Sequence, residues 1–237
     1  MHFATFIMPL REFKMLAATI YTKICRDKAK KNDGVYLKPS DVSSCIRKLY
    51  YAHSNFDIMN DIKKFIVYAN RVKRAIRDDA LKIIKESTNV ERISVDVKKQ
   101  NFVGKAKFKY NVDCAFMYGE KKTICLIKPL NSLEWSRCIV EPEKEHVIEL
   151  YTYMALEKTN KGLVLYINID SGAMTEYHYD VSDPVISSLV DVIKTVWNTL
   201  CISLVSKTAP PRRFADVSAP ECRRCCWCNY CWTEDFK

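Results

Sequence analysis

Five cysteines fall within ten residues of one another near the C-terminus, at Cys222, Cys225, Cys226, Cys228 and Cys231 in PECRRCCWCNYC. A C-x2-C spacing lets two thiolates reach one metal or cluster from a single turn, so this segment points to metal binding. Two ligand patterns fit: Cys222, Cys225 and Cys231, or the same three with Cys228. Zinc takes four thiolates in a tetrahedron. An iron–sulfur cluster also takes four, and its size accepts a ligand from a distant part of the chain. Spacing alone leaves both open. The other six of the eleven cysteines are scattered, mostly among apolar neighbours, and read as buried thiols. The odd total, with a first segment (MHFATFIMPLREFK) that has no positive region ahead of its short apolar stretch, argues against a secreted disulfide framework. A reducing, intracellular compartment is the expectation.

A second set of residues could hold a polyanion. The 237-residue chain carries a formal charge of +10, unevenly spread. Residues 1–110 hold 24 basic and 11 acidic side chains, a net of +13, and the remainder nets −3. Such asymmetry attracts nucleic acids or anionic membranes, although a merely soluble basic surface looks the same from composition. The cations come in two rows. Lys63, Lys64, Arg71, Lys73, Arg74 and Arg77 share one basic helix. Lys98 and Lys99 precede Lys105, Lys107 and Lys109, which alternate and so share one face of a strand. Tyr50, Tyr51, Phe108 and Tyr110 stand near these cations and could stack on unpaired bases, though core packing is the commoner role.

These residues need elements to position them. The balance of 48% hydrophobic and 28% charged residues is that of a globular chain, and no apolar run approaches the ~20 residues of a membrane span, so no membrane partner is expected. Residues 11–30 have helical spacing. Ser40 is a plausible N-cap for a short helix carrying Cys45. A longer helix is predicted over 62–85, with Phe65, Val72, Ile76 and Ile83 as its apolar side. Strands follow in ERISVDVKK, FVGKAKFKYNVDCAFMY and KTICLIKPL. Then come a helix in EKEHVIELYTYMALEKTN, a strand pair in GLVLYINI and MTEYHYDV, and a helix capped by Asp183 reaching about Leu204. TAPPRRFADVSAPE is an extended tether, because its prolines cannot continue a helix. The order implies an α/β fold.

LKPSDVSSCIRKLYY, residues 37–51, resembles the N-terminal cysteine motif of RecB-like PD-(D/E)XK nucleases of the CRISPR-associated and AddB-like type. In those a serine-initiated helix presents one cysteine followed by a basic residue and aromatics, here Cys45, Arg47, Tyr50 and Tyr51. The family's C-terminal C-x2-C-x-aromatic-x3-C is matched by Cys222, Cys225, Trp227 and Cys231. Between them, NVDCAF and TICLIKPL resemble the strands of the nuclease motif, and HVIELYTYMALEKTNKGLVLYIN the helix and strand that follow. The resemblance implies a central mixed sheet flanked by helices, as one domain over 1–237. Within it, 37–51 and 220–231 form an appendage that joins the N- and C-terminal ends through a metal cluster. It implies a structural [4Fe–4S] cluster on Cys45, Cys222, Cys225 and Cys231, with Cys228 as substitute ligand and zinc as the alternative.

The resemblance also implies a site of two acids holding Mg²⁺ or Mn²⁺ and a lysine that orients water. Asp113 matches the first acid and Lys128 the lysine. The position of the second acid is Leu126, which cannot ligate a metal. The family's metal-binding histidine is missing from ANRVKRAIR, residues 69–77. In the Q-x3-Y signature Glu149 replaces glutamine and Tyr153 is kept. Either the site is inactive and the fold serves as a DNA-binding platform, or Glu149 supplies the lost carboxylate and metal sits on Asp113 and Glu149. The erosion at two positions favours the first: a protein that binds DNA, preferring single strands, and recruits or supports replication, recombination or transcription proteins. The Arg71, Lys73, Arg74, Arg77, Lys105, Lys107 and Lys109 cations would hold the phosphates. The competing expectations are a metal-dependent deoxyribonuclease and a zinc-stapled protein-interaction module.

Overall fold

Alternating apolar residues between Glu91 and Asp180 build a five-stranded sheet in the computed structural model, which describes residues 34–54, 64–86, 91–118, 121–223 and 225–233. The expected helix over 11–30 and Lys63 lie outside the described residues. The strands are β1 (Glu91–Val103), β2 (Ala106–Tyr118), β3 (Lys121–Leu130), β4 (Lys161–Asn168) and β5 (Met174–Asp180), in sheet order 1-2-3-4-5. All neighbours are antiparallel except β3 and β4, which are parallel. A parallel pair needs a crossover, and here it carries two helices. The described helices are α1 (Ile46–Ser54), α2 (Lys64–Glu86), α3 (Ser132–Cys138), α4 (Lys144–Glu157), α5 (Asp183–Ser206), α6 (Pro220–Arg223) and α7 (Cys228–Thr233). The expected α/β fold with a mixed sheet flanked by helices is the fold observed.

Each face of the sheet has a core. The larger contains Phe108, Tyr110, Val112, Leu126, Leu150, Met154 and Leu200. The smaller lies under α2, where Ala80 and Leu81 meet Cys114, Cys125, Ile127 and Leu163. Helix α4 lies close on β4 because Gly162 has no side chain: a Cβ there would stand 2.9 Å from Leu150 Cδ1 and Met154 Sδ. That close approach sets the depth at which α4 presents its other side chains.

Several local expectations are corrected. FVGKAKFKY is not one strand, because Gly104, at φ +58°, and Lys105 form the two-residue loop that pairs Val103 with Ala106. Lys105 is therefore on the turn, and only Lys107 and Lys109 alternate along β2. The apolar side of α2 is Ile76, Ala80, Leu81 and Ile84, whereas Ile83 is exposed. Ser40 belongs to a 3-10 turn (Pro39–Asp41) that closes on itself through Asp41 Oδ2, and α1 starts after Cys45, whose carbonyl accepts Leu49 N–H. Ser182, not Asp183, is the N-cap of α5. α3, whose start is closed by reciprocal hydrogen bonds between Asn131 and Glu134, was not anticipated. α5 is long and apolar enough by length and composition to cross a bilayer, although no apolar run of that length was expected from the sequence. Leu189, Ile193, Val196 and Leu200 of α5 pack into the larger core.

At the end of α4, Glu157 ties three strands together. Its carboxylate accepts from Lys99 of β1 and Lys122 of β3, each at 2.5 Å, and from the Tyr110 hydroxyl of β2 at 2.9 Å. Burial pushes this carboxyl up, but the bonds from Lys122, Lys99 and Tyr110 together outweigh burial and hold it below the ordinary glutamate range. A depressed folded-state pKa stabilises above the unfolded value, and the contribution is lost as pH falls through the folded one. Glu157→Gln is therefore expected to lower the urea midpoint at neutral pH. The gap to wild type should close below pH ~4. A gap independent of pH would sink this account.

Candidate active site and cysteine cavity

β2 and β3 pair only from Cys114–Cys125 outward to Tyr118–Lys121. Before that point they diverge, and Asp113 sits at the fork. The divergence deprives Ile127 N–H of a strand partner, and Asp113 Oδ2 accepts it at 3.1 Å. Asp113 Oδ1 faces Arg77 Nη1 of α2 at 3.3 Å. Burial pushes the Asp113 carboxyl above its ordinary range; Ile127 N–H, Arg77 and Lys128 pull it back, and Glu149 adds to the rise. The edge of β2 left open by β3 is covered by the chain before α1: Leu37 N–H donates to Lys107 O at 2.8 Å, and Lys109 N–H to Leu37 O at 3.0 Å. That strap carries Tyr36 and Lys38 to the fork, with Lys109 Nζ 4.9 Å from the centre of the Tyr36 ring.

Across the fork, α4 presents Glu149 and Tyr153, one turn apart and so on one face. Lys128 Nζ donates to Glu149 Oε2 at 2.6 Å. Burial, followed by the Glu149 and Asp113 charges, raises the Tyr153 phenol. Asp113, Lys128, Glu149 and Tyr153 all line one open cavity of about 720 Å³. Its rim is cationic, with Lys38, Arg77, Lys98, Lys99 and Lys109. Leu126 is 2% exposed in the larger core, so the position where the resemblance places the second acid is apolar in fact as well as in sequence.

The expected phosphate-holding residues divide. Arg77 and Lys109 line the cavity. Lys73, one turn before Arg77, turns to a smaller neighbouring cavity, where it meets Glu134 Oε2 at 2.5 Å. Arg71 and Arg74 lie exposed on α2, and Lys105 on its turn. Lys107 is on β2 but outside the cavity wall. The aromatics proposed for stacking are core: Tyr51 and Phe108 are wholly buried, Tyr50 is nearly so, and Tyr110 is spent on Glu157. Sequence reasoning overlooked Tyr36, Lys38 and His146. His146 stands three residues before Glu149 on the same helix face, and that spacing was the available signal.

The tail cysteines meet the start of α1. Cys45, Cys222, Cys225, Cys228 and Cys231 line one cavity of about 240 Å³, with Arg47, Lys48 and Arg213 in its wall. Cys226 is exposed and outside it. Burial, then the neighbouring thiols, pushes the Cys222 and Cys228 thiols up. Among the described residues no group of three or more His, Cys, Asp or Glu is arranged to hold a metal ion. What visibly joins the two segments is protein. The Tyr51 ring lies 5.8 Å from Trp227 and 5.0 Å from Tyr230, and Trp227 is 3% exposed. Arg213 Nη1 donates to Ser43 O at 2.7 Å, and Arg47 Nη1 to Pro210 O at 3.1 Å.

No protein-family profile and no curated protein sequence matches the chain. Solved structures do. The crystal structure of SSO0001 matches with a TM-score of 0.59 at 18% identity, over 90% of this chain and 94% of that one. An alkaline exonuclease (LHK-Exo) from Laribacter hongkongensis matches with a TM-score of 0.50 at 13% identity, over 73% of this chain and 91% of that one. At such identities the likeness establishes the fold alone, a mixed sheet flanked by helices that this chain shares with an exonuclease structure.

Proposed function

We propose that this chain binds DNA strands in the cleft at the β2–β3 fork and hydrolyses phosphodiester bonds there with Mg²⁺ or Mn²⁺ held by Asp113 and Glu149. The observation that carries this is the convergence of two buried carboxylates and a lysine on one cavity with a cationic rim. Mg²⁺ typically takes one or two carboxylates and completes its shell with water and substrate phosphate, so this pair is a sufficient protein contribution. A bound divalent cation would polarise the phosphate and lower the pKa of the attacking water. Lys38, Lys98 and Lys109 hold the strand by its phosphates, which confers little sequence preference. Lys128, already bonded to Glu149, is placed to orient water or balance charge at the reacting phosphorus. The Asp113–Ile127 bond fixes the first carboxylate to the sheet, and the close seat of α4 on Gly162 fixes the second. The nuclease fold of the neighbours, one of them an alkaline exonuclease, supports DNA as the substrate.

A second reading is favoured by the ion pairs. Arg77 on Asp113 and Lys128 on Glu149 already give each carboxylate a counter-charge, which suits a platform that binds single strands without cutting and recruits other proteins. The cysteine cavity is assigned a structural [4Fe–4S] cluster on Cys45, Cys222, Cys225 and Cys231. Supporting this are the five thiols around one space and the cations in its wall, with zinc as the alternative occupant.

The deciding experiment incubates anaerobically purified protein with end-labelled single-stranded and duplex DNA in Mg²⁺, Mn²⁺ or chelator. Metal-dependent cleavage that Glu149→Gln removes is the expected result. A retarded but uncut strand under every metal condition would replace this reading with the binding platform.

A further inference from the structure

Lys128 lines two cavities. Beyond the one shared with Asp113 and Glu149 lies a second, of about 220 Å³, between α2, α3 and the start of α4. Its wall includes Lys73, Arg137 and Lys128, with Glu134, Glu143 and His146. Three fixed cations there face two carboxylates. Their arrangement is built from the chain upward. The Asn131–Glu134 bonds that start α3 hold the Glu134 carboxylate, which in turn holds Lys73 at 2.5 Å. Arg137, one turn further along α3, is held loosely: its Nη2 is 3.7 Å from Glu143 Oε1, and both side chains are more than a third exposed. A long, solvent-exposed pair of that kind is weak, so the guanidinium can turn to another anion at little cost. His146 Nδ1 is engaged by the Tyr166 hydroxyl at 3.0 Å. Burial, then Lys128 and Lys73, pushes its pKa down to about 3, so it adds no charge of its own to the cavity.

We propose that this second cavity is a phosphate subsite, with Arg137 as its donor and Lys73 and Lys128 supplying charge, and that it takes a further phosphate of the strand held at Asp113 and Glu149. The proposal rests on the reading of the first cavity as a DNA cleft and adds the direction in which the strand leaves it, past Lys128 toward α3. An arginine fork suits a phosphate in this position because it donates two parallel hydrogen bonds. Its half-exposed pose leaves the fold independent of it.

The test is binding, read in chelator so that cleavage plays no part. Affinities of single-stranded oligonucleotides of increasing length are measured against salt for wild type, Arg137→Ala, Arg137→Lys and Lys109→Ala. For Arg137→Ala the expected result is an affinity loss of about tenfold and a salt slope smaller by about one, confined to oligonucleotides long enough to span both cavities. Arg137→Lys should recover part of the loss. Lys109→Ala, in the first cavity, should weaken every length. Unchanged affinity and slope for Arg137→Ala overturn the subsite, as does an equal loss at all lengths. A free-phosphate site would show inorganic phosphate binding wild type but not Arg137→Ala while oligonucleotide affinity stays the same, and that too overturns the assignment. Absence of cleavage in the activity experiment, by contrast, leaves these binding outcomes readable.

Discussion

Asp113→Ala is expected to lower Mg²⁺- or Mn²⁺-dependent DNA cleavage on the order of a thousandfold, equivalent to about 4 kcal/mol of barrier, while leaving DNA binding intact or slightly tighter. The size of the effect follows from the lack of any replacement at the fork. Leu126 occupies the position of the usual second acid and is buried, so only Glu149 would remain to hold a divalent cation. Binding should not suffer, because removing a carboxylate takes a negative charge out of a cavity with a cationic rim. Truncation also strips Ile127 N–H of its acceptor, at a cost of about 1–3 kcal/mol of stability. Asp113→Asn keeps an acceptor there and separates the two effects, since it should be as inactive and more stable. Cleavage at the wild-type rate by both variants would show that the metal is held elsewhere or that the activity is a contaminant.

The second large effect concerns the cysteine cavity. Cys222→Ser is expected to abolish broad absorbance near ~400 nm and the bound iron, and to lower the unfolding midpoint. The loss extends to stability because a cluster on Cys45 and the tail closes a loop of nearly the whole described chain. Opening that loop enlarges the unfolded ensemble. The Tyr51–Trp227–Tyr230 contacts and the Arg47 and Arg213 bonds would remain, so the variant should still fold around its sheet. Cys226→Ser is the control: its thiol is exposed and outside the cavity, and its absorbance should match wild type. Unchanged absorbance for Cys222→Ser would reject that ligand, and zinc in place of iron by metal analysis would reject the cluster.

The two readings of the cleft differ in what Arg77 and Lys128 do. In a nuclease Arg77 would hold Asp113 in place for a divalent ion, and Lys128 would orient water or balance charge beside Glu149. In a platform they neutralise the site permanently and leave the strand to the rim. Geometry favours the nuclease because Asp113 and Glu149 need not have met. They lie 36 residues apart, on a strand and a helix, and a surviving salt bridge would require neither to face a shared cavity.

Much of this was legible in the residues themselves. Strand-forming runs separated by polar turns marked the strands, including β3 and β4, which are buried along most of their length, and the misreading across Gly104 and Lys105 came from a loop too short to break the pattern. C-x2-C spacing is local, so the tail could be read as a cysteine cavity without knowing the fold. The matching of Cys45 to that tail was visible only through resemblance. Polar residues were harder. Lys73 and Arg77 are both cations on one helix, yet they turn to different cavities because a turn of helix moves a side chain ~6 Å along the sheet. Glu134 and His146 were missed because neither is unusual by type, and their partners are distant in sequence.

Residue types and spacing determined most of the element types, the thiol-rich tail and the basic first half, and the resemblance added the missing acid two residues before Lys128. Only the tertiary structure decided that Glu149 faces Asp113, that Lys128 stands between two cavities, and that Tyr36 and Lys38 are carried to the cleft. The physical reason is that these placements depend on packing between segments far apart in the chain. The depth of α4 is set by Gly162 on another element, and the cleft exists because β2 and β3 part where Asp113 replaces a strand partner. Periodicity along one segment carries no record of either.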